Sequence, residues 1–332
     1  MSPKVLSEIL SELSAVSMPK SDDLIVGLDT PDDGAILRID NDRALIFSAD
    51  FFAPVVDDPV SYGRIAASNA LSDIYAMGGV PKMALNLVCW PEEIPESVLR
   101  DVLKGGSEMV SDAGALLVGG HTVKDSEPKY GLAVIGFVDT NMILRTSGAK
   151  PGDLIVLTKA LGSGVITTAH KRGIVNNNHL DECVKIMACN NSPIVEACKM
   201  VYPNVHAGTD VTGYGLLGHA QEMAEESECG IIFNSDNIPF MDGSLEYAER
   251  GIFSDGAISN EDFYSKFVSF SDDLNSWQRT MLFDPQTSGG LLVSVEAKNA
   301  EQLVDVLVEF GAVSSAIVGE VVNGKSGMIC VK

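Results

Sequence analysis

Between Ile65 and Gly79 the chain carries two ionisable side chains, Asp73 and Tyr75, while Ala66, Ala67, Ala70, Leu71 and Ile74 recur at helical spacing. A helix so poor in charge cannot lie on a solvated surface, so the rest of the chain must supply layers that cover it. The spacing predicts a helix over 62–77, ended by Gly78-Gly79. Asn69 and Asp73 stand four apart on a stripe beside the apolar face, so their polar groups point the same way. A carboxylate on a covered helix needs a partner. A metal ion is one candidate, and a hydrogen bond between Asn69 and Asp73 is the other.

The flanking segments read as the covering layers. A helix is expected over 3–13, then strands over 34–39 and 43–48 joined by turn chemistry at Asn41-Asp42. A strand over 83–88, an amphipathic helix over 95–112 and strands over 115–118 and 131–138 follow. The run Arg145-Thr-Ser-Gly-Ala-Lys-Pro-Gly-Asp153 has loop composition and precedes a strand over 154–158, which places a domain division near 150, between 1–149 and 150–332. The second half reads as two helices, a glycine-rich entry at Asp210 into another helix, and a strand over 230–234. An irregular polar region over 236–275, a strand over 290–295, a helix over 299–310 and a strand over 315–321 complete it. The fold class is α/β (α+β) in two domains, and 332 residues with 45% hydrophobic content suffice for two cores.

Four aspartates, Asp33, Asp50, Asp73 and Asp210, sit among small residues at the edges of apolar segments. A carboxylate so framed can approach a cation without steric cost, and hard ions such as magnesium take carboxylate oxygens. Aspartates also cap helices and start turns, and for any one of the four that reading stands beside the functional one. Asp29-Thr-Pro-Asp-Asp-Gly34 adds further acids before a strand. Asp210-Val-Thr-Gly-Tyr-Gly-Leu-Leu-Gly-His219 can bring backbone amides to an anion at a helix start, with His219 structural inside the helix. Gly119-Gly-His-Thr122 suits a tight turn, with or without a ligand. Asp284-Pro-Gln-Thr-Ser-Gly-Gly290 can line a pocket or form a plain loop, and Gly162-Ser-Gly164 is a minimal phosphate-loop candidate.

A net charge of -23 repels nucleic acid and anionic membranes at long range, so neither is an expected partner, and an anionic nucleotide would need local neutralisation. Six cysteines form no Cys-x-x-Cys pair, and the chain opens without a basic, apolar leader, which reads as a reduced, cytoplasmic protein. Cys183, Cys189 and Cys198 are expected in one helix as small buried thiols rather than zinc ligands. The hydrolase, zincin and Walker patterns are missing from the sequence.

Taken in order, several runs resemble the selenophosphate synthetase family of the aminoimidazole-ribonucleotide-synthetase-like ATP-binding superfamily. They are Ser48-Ala-Asp-Phe-Phe52, residues 63–79, Gly119-Gly-His121, Leu157-Thr-Lys-Ala-Leu-Gly162, residues 210–219 and 284–290. The resemblance spans essentially the whole chain. It implies a homodimer whose N-terminal domains pair into an intersubunit β-barrel, with a C-terminal α/β domain over the nucleotide. It implies conversion of selenide, ATP and water into selenophosphate, AMP and orthophosphate. It places magnesium on Asp33, Asp73 and Asp210, and ATP beside Thr30, Pro31, Asp32, Asp50, Asp73, Gly120, His121 and Thr122.

Three departures accompany it. The family's mobile loop with a catalytic cysteine or selenocysteine and a lysine precedes the segment equivalent to Ser2-Pro-Lys-Val5, and Lys4 does not replace that lysine; the expectation is a UGA codon upstream of Met1. Pro31 stands where an arginine is frequent, and residues 253–262 lack the Gly-Gly-Thr-x-Arg-Asn pattern. The alternatives are an aminoimidazole ribonucleotide synthetase or thiamine monophosphate kinase type of enzyme, and a non-catalytic nucleotide-binding protein.

Overall fold

A computed structural model describes residues 21–28 and 32–332; the helix expected over 3–13 lies outside them. The first half builds a six-stranded sheet from β1 (Leu24–Val26), β2 (Ala35–Arg38), β3 (Arg43–Phe52), β4 (Val80–Trp90), β5 (Leu116–Lys124) and β6 (Lys129–Asp139). Its spatial order is β1-β2-β3-β6-β4-β5, antiparallel except for the β4–β5 pair. The β2–β3 hairpin turns where Asn41-Asp42 indicated, held by the Asp40 carboxylate accepting from the Asp42 and Arg43 amides at 3.0 and 2.8 Å.

Helix α1 (Pro59–Ala76) starts three residues before its expected position because Asp58 caps it, accepting from the Ser61 amide at 2.7 Å, with Pro59 in the first turn. From Tyr62 to Ala76 every residue but Arg64 is buried, as the shortage of charge required. Helix α2 (Glu96–Asp112) lies on α1 with backbones in contact. A Cβ on Gly63 would stand 2.0 Å from the Val102 carbonyl oxygen, and one on Gly105 2.0 Å from that of Val60. Arg64 spans the same interface to Glu108 and Asp112, each at 3.0 Å.

The second half forms a seven-stranded sheet of β7 (Asp153–Leu157), β8 (Val205–Asp210), β9 (Gly230–Phe233), β10 (Val268–Phe270), β11 (Leu291–Glu296), β12 (Ala316–Val322) and β13 (Met328–Val331). The order is β10-β13-β9-β12-β7-β11-β8, with β10–β13 and β13–β9 parallel. Around it lie α3 (Ser163–Lys171), α4 (Asn177–Met187), α5 (Pro193–Val201), α6 (Gly215–Glu226), α7 (Ser244–Glu249), α8 (Asp255–Tyr264), α9 (Ser276–Met281) and α10 (Ala300–Glu309). One apolar core joins Leu71 of α1 to Met187 and Ile194 of the second half, so α1 is covered from both sides. A second core around Leu217, Phe233 and Phe283 lies in the second half, with Ala149 at the division packed into it.

Several readings of local sequence differ from the structure. The region 236–275 holds α7, α8 and β10, elements too short to show a sustained period. Strand β8 escaped notice because Val205-His-Ala-Gly-Thr-Asp210 does not alternate; its burial comes from β11 beside it and α1 against it. Cys183, Cys189 and Cys198 fall on α4, the following turn and α5, since Pro193 opens a new helix. All six thiols are free, and among the described residues no helix is long and apolar enough to cross a membrane.

Candidate nucleotide and metal site

Strand β3 and helix α1 meet with matched spacing. Side chains two apart on a strand are separated by roughly 7 Å and those four apart on a helix by roughly 6 Å, so two positions on one can face two on the other. Ser48 and Asp50 occupy the helix-facing side of β3, the side of buried Ala44 and Ile46. The Ser48 hydroxyl donates to the Asp73 carboxylate, and Asn69 Nδ2 donates to Asp50 Oδ2 at 2.6 Å. The Asn69–Asp73 bond left open by the sequence is therefore replaced by two bonds to the neighbouring strand.

Two further carboxylates arrive from elsewhere. Asp210 ends β8 and is 3% exposed. Thr209 just before it donates to Asp33 Oδ1 at 3.0 Å, tying the segment before β2 to the second sheet. Asp32 turns aside and accepts from the Thr146 hydroxyl at 3.1 Å. Burial raises all of these carboxyls above the ordinary range. Asp33 is raised further by Asp210, Asp32 and Asp73, and Asp73 by Asp210 and Asp50. Asp50 is pushed up to about 6 by burial and then by Asp210. For Asp210, burial outweighs the favourable fields of His219 and Lys159 and the Ser72 hydroxyl beside it.

The donor set fits a hard divalent cation. Asp33 Oδ2 and Asp210 Oδ2 are buried with no hydrogen-bond partner, a costly state for anionic oxygens unless a cation completes them. Among the described residues no three acidic, histidine or cysteine side chains already enclose an ion.

The other expected site residues are distributed less tightly. Thr30 and Pro31 lie outside the described residues. Gly120, His121 and Thr122 do not form a tight turn: β5 continues through them to Lys124, paired with Asn86, Leu87 and Val88 of β4. Gly119, at φ 142°, sits where the β4–β5 register shifts. All three are exposed on this edge strand, and among the described residues no hydrogen bond ties them to the aspartates. Gly162-Ser-Gly164 is closed to phosphate. Gln286 Oε1 accepts from the Gly162 and Ser163 amides at 2.9 and 3.2 Å, and Asp284 from the Val165 amide at 3.0 Å. The loop 284–290 thus caps α3 and presses on α1. His219, expected to be structural, is 7% exposed in α6 against Tyr214, and its field reaches Asp210. In the segment lacking the family pattern, Asn260 donates to the carbonyls of Gly213 and Phe283 at 2.9 and 3.0 Å.

Sequence reasoning passed over Ser48, Ser72, Asn191 and Lys159. Asn191 donates to Ser72 Oγ at 2.8 Å and to the Gly289 carbonyl at 3.0 Å. Lys159 is 2% exposed, a rarity for lysine, and burial lowers it to about 8. In the sequence it stands as a lone charge two residues after the apolar run Leu154–Leu157, within the run 157–162 that carries part of the resemblance.

Residues 31–138 match the family described as AIR synthase related protein, N-terminal domain, and residues 150–331 its C-terminal domain. The thiamine monophosphate kinase of Aquifex aeolicus superposes with a TM-score of 0.67 at 17% identity, covering 99% of this chain and 96% of that one. A hydrogenase maturation protein HypE in complex with ATP gives 0.68 at 17%, covering 97% and 86%. The fold is thus the two-domain α/β architecture of AIR synthase related proteins, with mixed sheets. A selenide, water dikinase of Clostridioides difficile is 46% identical over 323 residues, 96% of this chain and 91% of the relative. Selenide, water dikinase 2 of Peptoclostridium acidaminophilum is 46% identical over 318 residues, 95% and 91%. The chain belongs to the selenide, water dikinase family.

Proposed function

We infer that the chain serves ATP-dependent synthesis of selenophosphate from selenide, ATP and water, with release of AMP and orthophosphate. The observation that carries this reading is 46% identity to a selenide, water dikinase over nearly the full length of both chains. An aminoimidazole ribonucleotide synthetase or thiamine monophosphate kinase activity has only fold-level likeness behind it.

The nucleotide would lie where β3, α1 and β8 converge, with Asp33, Asp73 and Asp210 holding magnesium and Asp32, Asp50, Asp73, Thr30, Pro31, Gly120, His121 and Thr122 bordering ATP. Magnesium, when bound, neutralises phosphate charge and orients the transferring groups. The chain's own residues prepare that binding. Ser48 holds Asp73, Asn69 holds Asp50 and Thr209 holds Asp33, so each carboxylate is oriented before the ion arrives.

The first half, up to the division near residue 150, would carry the dimerisation role. One face of its sheet is covered by α1, while Leu37, Phe47, Phe51, Met83, Leu85 and Leu116 stand 40% to 65% exposed; all but Leu116 are on strands flanked by neighbours on both sides. An apolar sheet face of this extent marks an interaction surface, and a second copy of the same face forming an intersubunit barrel would cover it. Cytoplasmic location accords with the six free thiols.

Anaerobic phosphorus NMR of Mg-ATP and selenide with the product of the gene's complete reading frame tests the reaction. Selenophosphate, AMP and orthophosphate are expected. ADP as the final nucleotide, or unchanged ATP, would refute selenophosphate synthesis.

A further inference from the structure

Lys159 follows β7 as a fully buried cation with no carboxylate in ion-pair contact among the described residues. Its ammonium donates instead to two backbone carbonyls from distant parts of the chain, Cys189 at 2.6 Å and Ser288 at 2.9 Å. Burying an ammonium against neutral acceptors is unfavourable, so the arrangement persists only where the rest of the structure imposes it.

Ser288 is what it holds. This residue sits at φ 50°, in the left-handed region that side chains other than glycine, asparagine and aspartate seldom adopt. Both its backbone polar groups are fixed: the carbonyl by Lys159, and the amide by donation to Asn69 Oδ1 at 2.9 Å. The Ser288 hydroxyl donates to Ser68 Oγ at 3.1 Å, and Ser68 donates to the Cys189 carbonyl at 3.1 Å, which closes a ring back to Lys159. Asn69 uses its remaining side to grip Asp50 at 2.6 Å. Four separate segments thereby act on the orientation of one carboxylate.

We propose that Lys159 is a positioning residue for the nucleotide site: by pinning Ser288 in its left-handed conformation it fixes Asn69, and through Asn69 the Asp50 carboxylate. The second half of the chain so sets the Mg-ATP affinity of the first. This rests on the reading of Asp50 as an ATP-bordering residue.

Calorimetric titration of Mg-ATP into the wild type, Lys159→Met, Asn69→Ala and the double variant tests it. Lys159→Met is expected to weaken binding about tenfold, as for a group coupled through one hydrogen-bond network, and the double variant to bind no more weakly than Asn69→Ala alone. Unchanged affinity in Lys159→Met, or independent additive losses, would overturn the proposal, because a merely structural lysine gives one or the other. A wild type that binds no Mg-ATP would remove the nucleotide-site reading itself and this proposal with it. Should Lys159→Met not fold, hydrogen exchange of the wild type decides: Mg-ATP must slow exchange across residues 284–290 by reciprocity, and unaltered exchange there refutes the coupling.

Discussion

Replacing Asp50 with asparagine should stabilise the metal-free protein while damaging its ability to bind Mg-ATP. The Asp50 carboxyl is raised from 3.8 to about 6, first by burial and then by Asp210. At about 1.4 kcal/mol per pH unit this is about 3 kcal/mol of folding free energy, reduced to about 2 kcal/mol by the residue's partial exposure. The sign follows from proton binding. Below pH 3.8 the carboxyl is neutral in both states and carries no penalty. Between 3.8 and 6 the folded state holds the proton more tightly, so stability falls as pH rises, and above 6 the full penalty is present. The introduced amide would carry no charge, and its oxygen could still accept from Asn69 Nδ2. Urea unfolding in EDTA, followed by circular dichroism, should show Asp50→Asn more stable at pH 8 by about 2 kcal/mol, with the gain vanishing near pH 4. With Mg-ATP at about 100 times its dissociation constant the wild type gains about 2.7 kcal/mol and the order reverses. No gain at pH 8, or an equal gain at pH 4, would refute the electrostatic account.

Asp210→Asn should abolish magnesium-dependent ATP binding in calorimetry while raising the thermal midpoint of the metal-free protein, because one of its oxygens is buried without a partner. Phe47→Asp, on the uncovered sheet face, should shift the mass measured by light scattering from dimer to monomer and leave the far-UV circular dichroism unchanged; a dimer that survives would exclude this face as the interface. Gly63→Ala should destabilise by about 3 kcal/mol in urea unfolding, since its Cβ would lie 2.0 Å from the Val102 carbonyl and force α1 and α2 apart. Burial raises Asp284 to about 7, so the stability linked to its protonated form is lost as pH rises through 7. Asp284→Asn should therefore flatten the stability profile between about pH 4 and 7.

Much of this architecture was written in local pattern. The scarcity of charge from Ile65 to Ala76, where Asp73 is the one carboxylate, required a covered helix, and α1 is covered by the first sheet and by the core shared with α4 and α5. The Asn41-Asp42 turn, the Gly78-Gly79 stop and the apolar strands 83–88, 131–138 and 290–295 all sit where turn chemistry and hydrophobic runs place them. The carboxylates Asp33, Asp50, Asp73 and Asp210 stood out because small and apolar neighbours leave a charge without local solvation. Local pattern failed where burial was conferred by distant neighbours. Val205–Asp210 became a strand only beside β11, and Gly119-Gly120 became part of a strand rather than a turn only through pairing with β4.

Which groups hold the carboxylates was decided by tertiary structure alone. Sequence spacing put Asn69 and Asp73 on one stripe, but the strand laid across that stripe gave Asp73 to Ser48 and Asn69 to Asp50. Lys159 meets Ser288 across 129 residues and Thr209 meets Asp33 across 176. A sequence records the period of each element and the charge it carries. The partner of a buried charge depends on which surfaces the fold brings together, because an electrostatic contact acts over a few ångströms of space however far apart the residues lie along the chain.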